Sequence, residues 1–315
     1  MYQKKLNAVY SSRGMKRRYE VWFLRCGLTD GSGAWWLRYL VMNLGRGRWG
    51  AVPTAQPAQV WATWFPHEGE PRSFIQGFPI EWLQLSERRA LPFYCRITKN
   101  GMEEGTCWGN LRVEDHEISW KLRWKSDFGV TLSDKGWIGF SRSPHSDATF
   151  SGEIALDGRK FAGEPLGFGV QGHNCGYRHR TFWRWMHAYF PNPDGTASTV
   201  EALVYDLPLG MTFRKAVVWH AGKPTVLRKM TEREQVHEAN RLKWSFAGLL
   251  EGTPVTVTVE GTAPGIHRLP YMKTDESGTL PVANASAARA ILEVGHEREE
   301  TTRGAVIEFG GGTRD

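Results

Sequence analysis

The chain has 315 residues, 41% of them hydrophobic and 23% charged, which excludes a small stapled module and a disordered or collagen-like polymer. Its length is about twice that of a usual domain, so two domains or one large β domain are expected. Lys plus Arg number 40 against 33 Asp plus Glu, a net charge of +7 that favours solubility and admits anionic partners without establishing nucleic-acid binding.

The opening run MYQKKLNAVYSSRGMKRRY is basic but lacks an apolar core of signal-peptide length. The most apolar stretch, 34–44 (AWWLRYLVMNL), contains Arg38 and is far short of the roughly 20 residues that span a bilayer. A cytoplasmic protein with no stable membrane insertion is therefore expected. Cys26, Cys95, Cys107 and Cys175 show no CxxC spacing and are read as reduced thiols. The unusual count is 15 Trp, beside 15 Phe and 9 Tyr; so many large rings must fill a broad core or line a cavity.

In chain order, short alternating runs bounded by turn residues predict strands over 19–26, 35–44, 59–65, 107–113, 117–125 and 149–156, then 182–189, 199–205, 211–220, 242–246, 254–260, 290–294 and 305–309. In 117–125 (EISWKLRWK), Ile118, Trp120, Leu122 and Trp124 fall on one face while the charged side chains fall on the other. Asp157-Gly158 is a type I′ hairpin signal, and Ala221-Gly222 and Glu276-Ser277-Gly278 read as further turns. Thr231 and Glu234 stand at capping-box spacing, which predicts a short helix over 231–240. The Gly-rich, aperiodic stretch 163–172 predicts a boundary between an N-terminal β domain, 1–165, and a C-terminal β domain, 166–315. No internal repeat stands out.

The densest chemistry lies in 171–189 (QGHNCGYRHRTFWRWMHAY). A strand over 182–189 puts Trp183, Trp185, His187 and Tyr189 on one face and Phe182, Arg184 and Met186 on the other. That face reads either as core with an interior histidine or as an aromatic ligand wall. His173 and Asn174, on a Gly-flanked polar turn, read as presented side chains. His173, Cys175, His179 and His187 offer metal-type ligands, but their spacing matches no standard zinc motif, and no metal is expected. Cys175 beside two histidines is a weaker candidate nucleophile. Single-stranded nucleic-acid binding is a minor alternative; in 117–125 the indoles and the basic side chains fall on opposite faces, which disfavours a stacking groove.

Three runs, YEVWFLRCGLTDGSGAWWLRYLV (19–41), PHSDATFSGEIALDGRKF (144–161) and GHNCGYRHRTFWRWMHA (172–188), resemble the lipocalin-like family of carotenoid 1,2-hydratases (hydroxyneurosporene synthase, CrtC/AttH type), tocopherol cyclases and fungal Diels-Alderases. The tail YMKTDESGTLPVANASAARAIL (271–292) is similar to that family's closing strands. The resemblance implies an all-β fold: two lipocalin- or calycin-like barrel or sandwich domains, packed together with little helix, and an apolar ligand pocket between or within them. Family members often carry Trp two residues after the turn histidine, where this chain has Cys175.

Hydration or cyclisation of a terpenoid alkene begins by protonating carbon, which calls for a carboxyl kept neutral by burial and for aromatic faces that stabilise a cation. The resemblance implies an Asp beside an aromatic as the acid, and Asp206 after Tyr205 is the nearest match. His173 or His179 would orient it or activate water. Asn174, Cys175, Tyr177, Trp183, Trp185, His187 and Tyr205 would contact a large hydrophobic ligand of isoprenoid or polyketide type. A pericyclic reaction would need shape alone. Neither route calls for an organic cofactor, and a carrier without catalysis would use the same pocket.

Overall fold

The computed structural model describes residues 2–11, 17–44, 56–136, 138–192 and 196–311. A five-residue helix, α1 (Tyr2–Leu6), precedes the strands. Those of the first half are β1 (Tyr19–Leu28), β2 (Gly33–Met42), β3 (Ala58–Pro66), β4 (Arg72–Phe78), β5 (Leu83–Leu85), β6 (Tyr94–Ile97), β7 (Asn100–Glu103), β8 (Thr106–Val113), β9 (His116–Lys125), β10 (Val130–Asp134), β11 (Gly139–Leu156) and β12 (Arg159–Gly176). The second half contributes β13 (Phe182–Pro191), β14 (Ala197–Asp206), β15 (Thr212–His220), β16 (Lys223–Val226), β17 (Arg228–His237), β18 (Arg241–Leu250), β19 (Thr253–Thr262), β20 (His267–Met272), β21 (Thr279–Val294) and β22 (Glu297–Gly311). No helix among the described residues is long and apolar enough to cross a membrane.

The strands form two antiparallel sheets of one plan. The first runs β4-β3-β2-β1-β12-β11-β9-β8-β7-β6-β5, with β10 beside β11; the second runs β16-β15-β14-β13-β22-β21-β19-β18-β17, with β20 beside β21. In each, the first strand pairs with the last, so an up-and-down meander returns on itself and leaves one break, after its fourth strand. Near the second break the Leu227 N–H donates to the Ala216 carbonyl. The expected all-β pair of lipocalin-like domains is what forms.

Alternation explains the packing. Trp22 and Leu24 of β1, Trp35 and Leu37 of β2, and Ile118, Trp120, Leu122 and Trp124 of β9 fill the first barrel. Met186, Ala188, Val200, Ala202, Trp244 and Phe246 fill the second. The intervening residues of the strands where the barrels meet, Val21, Phe23, Trp36, Trp185, Leu203 and Val306 among them, form a third apolar cluster between the two. Asp157 and Gly158 both have positive φ, 50° and 83°, as a type I′ turn requires.

Two expectations are corrected. Residues 231–240 form no helix: most lie in β17, which pairs along the apolar strand β18. Thr231 donates to the Lys229 carbonyl instead of capping, and Glu232 takes a two-pronged bond from the buried Arg184 at 2.6 and 2.7 Å. The stretch 163–172, expected as an aperiodic boundary, is part of β12. Its glycines serve close strand packing: a Cβ at Gly169 would stand 2.0 Å from the Arg25 carbonyl oxygen, and one at Gly172 2.2 Å from the Phe23 ring. The first sheet therefore runs on to Gly176, and the chain enters the second at Phe182, so the 165/166 boundary expected from sequence falls within β12.

Arg25 fastens the barrels together. Its side chain, 1% exposed, leaves β1 and donates to the Ser286 carbonyl at 2.9 Å from Nε and 2.6 Å from Nη2, to the Gly304 carbonyl at 3.1 Å, and to the Arg303 carbonyl. Burial lowers its pKa to about 10, so it stays charged at neutral pH. Arg25→Met strands these carbonyls without donors and should reduce unfolding free energy in urea melts by about 3 kcal/mol. A change under about 0.5 kcal/mol, the range of an ordinary surface substitution, would show that the clamp carries no weight.

Candidate functional site

Where the barrels face each other, the third cluster leaves a cavity of about 730 Å³, within the size range of small-molecule sites. The first barrel supplies Val21 and Phe23 from β1 and Trp36 and Arg38 from β2; the second supplies Trp183 and Trp185 from β13, Leu203 and Tyr205 from β14, Tyr271 from β20 and Glu308 from β22. The connection from β12 to β13, carrying Tyr177, Arg178, His179 and Arg180, forms part of the wall. The Trp185 ring meets Phe23 edge-on at 5.6 Å, and Tyr205 and Ser133 bridge the barrels by a hydroxyl pair at 2.8 Å.

Among the polar groups of this wall, four stand in its apolar part. Glu308 accepts from Trp183 Nε1 at 2.9 Å, Tyr271 OH at 3.0 Å and Asn284 Nδ2 at 3.3 Å. Burial raises its pKa; nearby Arg38 and the Trp183 and Tyr271 bonds oppose that shift without cancelling it. The Arg38 guanidinium lies 4.4 Å from the Tyr271 ring centre and 4.6 Å from that of Trp61, a cation held by π faces, and its Nη1 has no hydrogen-bond partner among the described residues. His179 stacks on Tyr19 at 4.1 Å. Burial first, and then Arg38, lowers its pKa to about 3, so the imidazole is neutral, and its Nδ1 is unpartnered too. Asn174 Oδ1 is a third buried atom without a partner. Such atoms are costly unless something fills them, and all three belong to cavity-lining residues.

Of the residues expected from sequence, His179, Asn174, Cys175, Tyr177, Trp183, Trp185 and Tyr205 line the cavity. His173 does not: its ring is fully buried, with Nδ1 at 2.7 Å from the Leu6 carbonyl and Nε2 at 2.8 Å from Glu20, where it ties the N-terminal segment to the sheet. Asp206 accepts from Thr181 Oγ1 at 2.5 Å and from the Phe182 N–H at 3.1 Å; it braces the start of β13, while its neighbours Tyr205 and Leu207 line the cavity. His187 contacts the Ser146 carbonyl at 2.7 Å, fully buried between the barrels. Burial keeps the Cys175 thiol protonated, which removes the nucleophile reading. No three His, Cys, Asp or Glu among the described residues are arranged to hold a metal.

Sequence reasoning missed Glu308, Arg38 and Tyr271. The signal was present: Arg38 interrupts AWWLRYLVM and Glu308 interrupts AVIEFG. A lone charge inside an apolar strand is rarely tolerated without a partner or a function.

Solved structures share this architecture. Kievitone hydratase from Nectria haematococca is 11% identical, with a TM-score of 0.59 over 98% of this chain and 94% of its own. An AttH-type protein from Nitrosomonas europaea is 11% identical, with a TM-score of 0.57 over 94% and 93%. CghA with Sch210972 is 10% identical, with a TM-score of 0.60 over 94% and 88%. The chain has their fold. No protein-family model and no curated protein matches it. The two-barrel fold agrees with the resemblance read from the four sequence runs.

Just behind the wall, Glu201 of β14 accepts from Ser143 at 2.6 Å, Trp185 Nε1 at 3.0 Å and Ser146 at 3.2 Å, so it positions Trp185 and joins the barrels. Burial lifts its pKa from 4.5 to about 7 against those bonds. The folded chain thus holds this proton more tightly than the unfolded chain does. The stabilisation is complete below the ordinary carboxyl value and is lost as pH rises through about 7. In urea melts, wild-type stability should fall relative to Glu201→Gln between about pH 5 and about pH 8. Parallel curves across that window would contradict the assignment.

Proposed function

We propose that the chain binds a large apolar molecule with a polar end in the interdomain cavity and adds water, or closes a ring, across one of its alkene bonds. The observation that carries this reading is the buried carboxyl of Glu308, raised in pKa and set among indole and phenol rings on the cavity wall. A carboxyl whose pKa is raised by burial holds its proton to higher pH and can give it to carbon. The likeness to kievitone hydratase and to the Diels-Alderase CghA supports catalysis on an alkene-bearing substrate.

In this reading the acid role assigned to Asp206 from sequence passes to Glu308. Its proton bonds to one alkene carbon, and the positive charge left on the other faces Trp183, Trp185 and Tyr271. In hydration, a water oxygen held by neutral His179 bonds to that carbon, and the surplus proton returns to the Glu308 carboxylate. In cyclisation a second alkene takes the place of water, and loss of a neighbouring C–H proton restores Glu308. Arg38 Nη1 and Asn174, a donor and an acceptor, fix the polar end. The apolar lining favours a substrate of either class named from sequence, isoprenoid or polyketide.

A panel of isoprenoid and polyketide alkenes, assayed by mass spectrometry, tests the reading. Products should carry the added mass of water, or an unchanged mass with one alkene fewer. Glu308→Gln should lower turnover at least about a hundredfold, the scale of a lost general acid, while ligand affinity changes less than about tenfold. Undiminished turnover in Glu308→Gln would overturn the acid role. Tight binding with no turnover by the wild type would make the chain a carrier.

A further inference from the structure

The loop that closes the second barrel's side of the cavity mouth carries Leu207, Pro208, Leu209, Gly210 and Met211 between β14 and β15. Leu207 and Pro208 line the cavity. Leu209 is 95% exposed and Met211 55%. Leu209 also holds a φ of 61°, a left-handed conformation unfavourable for a branched side chain, and at that exposure it gains no packing from the fold. On the first barrel's side, Ile138 is 44% exposed and Tyr177, in the connection to β13, 41%; both line the cavity as well. Apolar tips from both barrels thus stand at the opening of an apolar cavity.

The same mouth is basic. Lys135, Arg178 and Arg180 line it, and among the described residues none of the three forms a salt bridge. Of the carboxylates on the surrounding segments, Asp134 is paired with Arg142, while Asp206, Asp275 and Glu276 accept from the neutral side chains of Thr181, Ser277 and Asn43 and keep their charge; Lys273 and Arg17 add further cations beside Asp275. Arg180 lies over the Tyr205 ring and Lys135 over that of Phe213, contacts that leave their charge in place, and exposed apolar tips among cations without a salt bridge are the composition of a surface that seats in the headgroup layer of an anionic membrane.

We infer that the cavity mouth docks on an anionic lipid bilayer through Leu209, Met211 and Ile138 with Lys135, Arg178 and Arg180, so that an apolar ligand passes from the membrane into the cavity without crossing water. The transfer role rests on the proposed ligand cavity; the docking surface stands on exposure and charge. Docking is peripheral, with the barrels remaining outside the hydrocarbon.

Cosedimentation of the full chain with vesicles tests this, using phosphatidylcholine alone and phosphatidylcholine mixed with phosphatidylglycerol. The wild type should bind the mixed vesicles at least about fivefold better than the neutral ones, with binding suppressed by high salt. Leu209→Asp with Met211→Ser, and separately Lys135→Ala with Arg178→Ala, should each reduce binding at least about fivefold. No binding to anionic vesicles, or equal binding by the variants, would overturn the proposal. So would lipid-free self-association of the wild type that Leu209→Asp abolishes, since the tips would then contact protein.

Uptake of a soluble apolar fluorescent dye separates the two readings, because Leu209 and Met211 lie outside the cavity lining. Dye uptake without vesicle binding overturns docking and leaves the cavity reading intact. Vesicle binding without dye uptake supports docking and removes the ligand cavity.

Discussion

A strand covered on both faces has no side left for water, so every charged residue on it must find a partner or a task. β1, β2, β13, β14 and β22 are in that position: one face fills a barrel and the other meets the second barrel. Arg25, Arg38, Glu201 and Glu308 are among the charges that punctuate them, each on the face turned to the other barrel. Arg25 and Glu201 lie where the barrels touch and act as fasteners, one through backbone carbonyls and the other through two serines and an indole. Arg38 and Glu308 lie where the barrels part, and the cavity between is lined by their side chains. The same constraint that builds the interface thus supplies a cation and a carboxyl to an apolar site.

That arrangement accounts for the aromatic richness of the chain. Inside the barrels Trp22, Trp35, Trp120 and Trp244 are core. Trp36, Trp183 and Trp185, on the outward faces of neighbouring strands, line the cavity instead. The tryptophans thus divide between barrel core and cavity wall, one strand face apart. Trp183 also keeps its N–H on Glu308, so one side chain presents a π face to the cavity and positions that carboxyl.

Much of this was legible from the amino-acid order. Alternation located most strands, and the faces assigned to 117–125 and 182–189 are those that form. The 171–189 run did supply much of the cavity wall, including His179 and Trp183. What misled was local composition. Glycines at 167, 169 and 172 read as a domain boundary because spacing does not distinguish an aperiodic break from a strand whose neighbour lies too close for a Cβ. The Thr231 and Glu234 pattern read as a cap because the pairing with β18 lies outside any local window. The matching meanders of the two halves left no repeat in the sequence, since topology constrains the order of strands and not their residues. Asp206 drew attention by its place after an aromatic in a strand, yet its side chain turns back to brace β13, and the cavity's carboxyl comes from Glu308 in the last strand. Long-range pairing brings that strand beside β13, and no short motif announces it.

The central claim is that the space between the barrels holds an apolar molecule. Mass spectrometry of an organic extract from protein purified out of its native host tests this most directly, with Leu203→Trp as the comparison because Leu203 lines the cavity and an indole there would project into it and obstruct a bound molecule. An isoprenoid or polyketide enriched with the wild type and depleted with Leu203→Trp is the result expected. Identical extracts from the two proteins, with nothing apolar enriched in either, would contradict the claim and leave the aromatic wall as packing between two barrels.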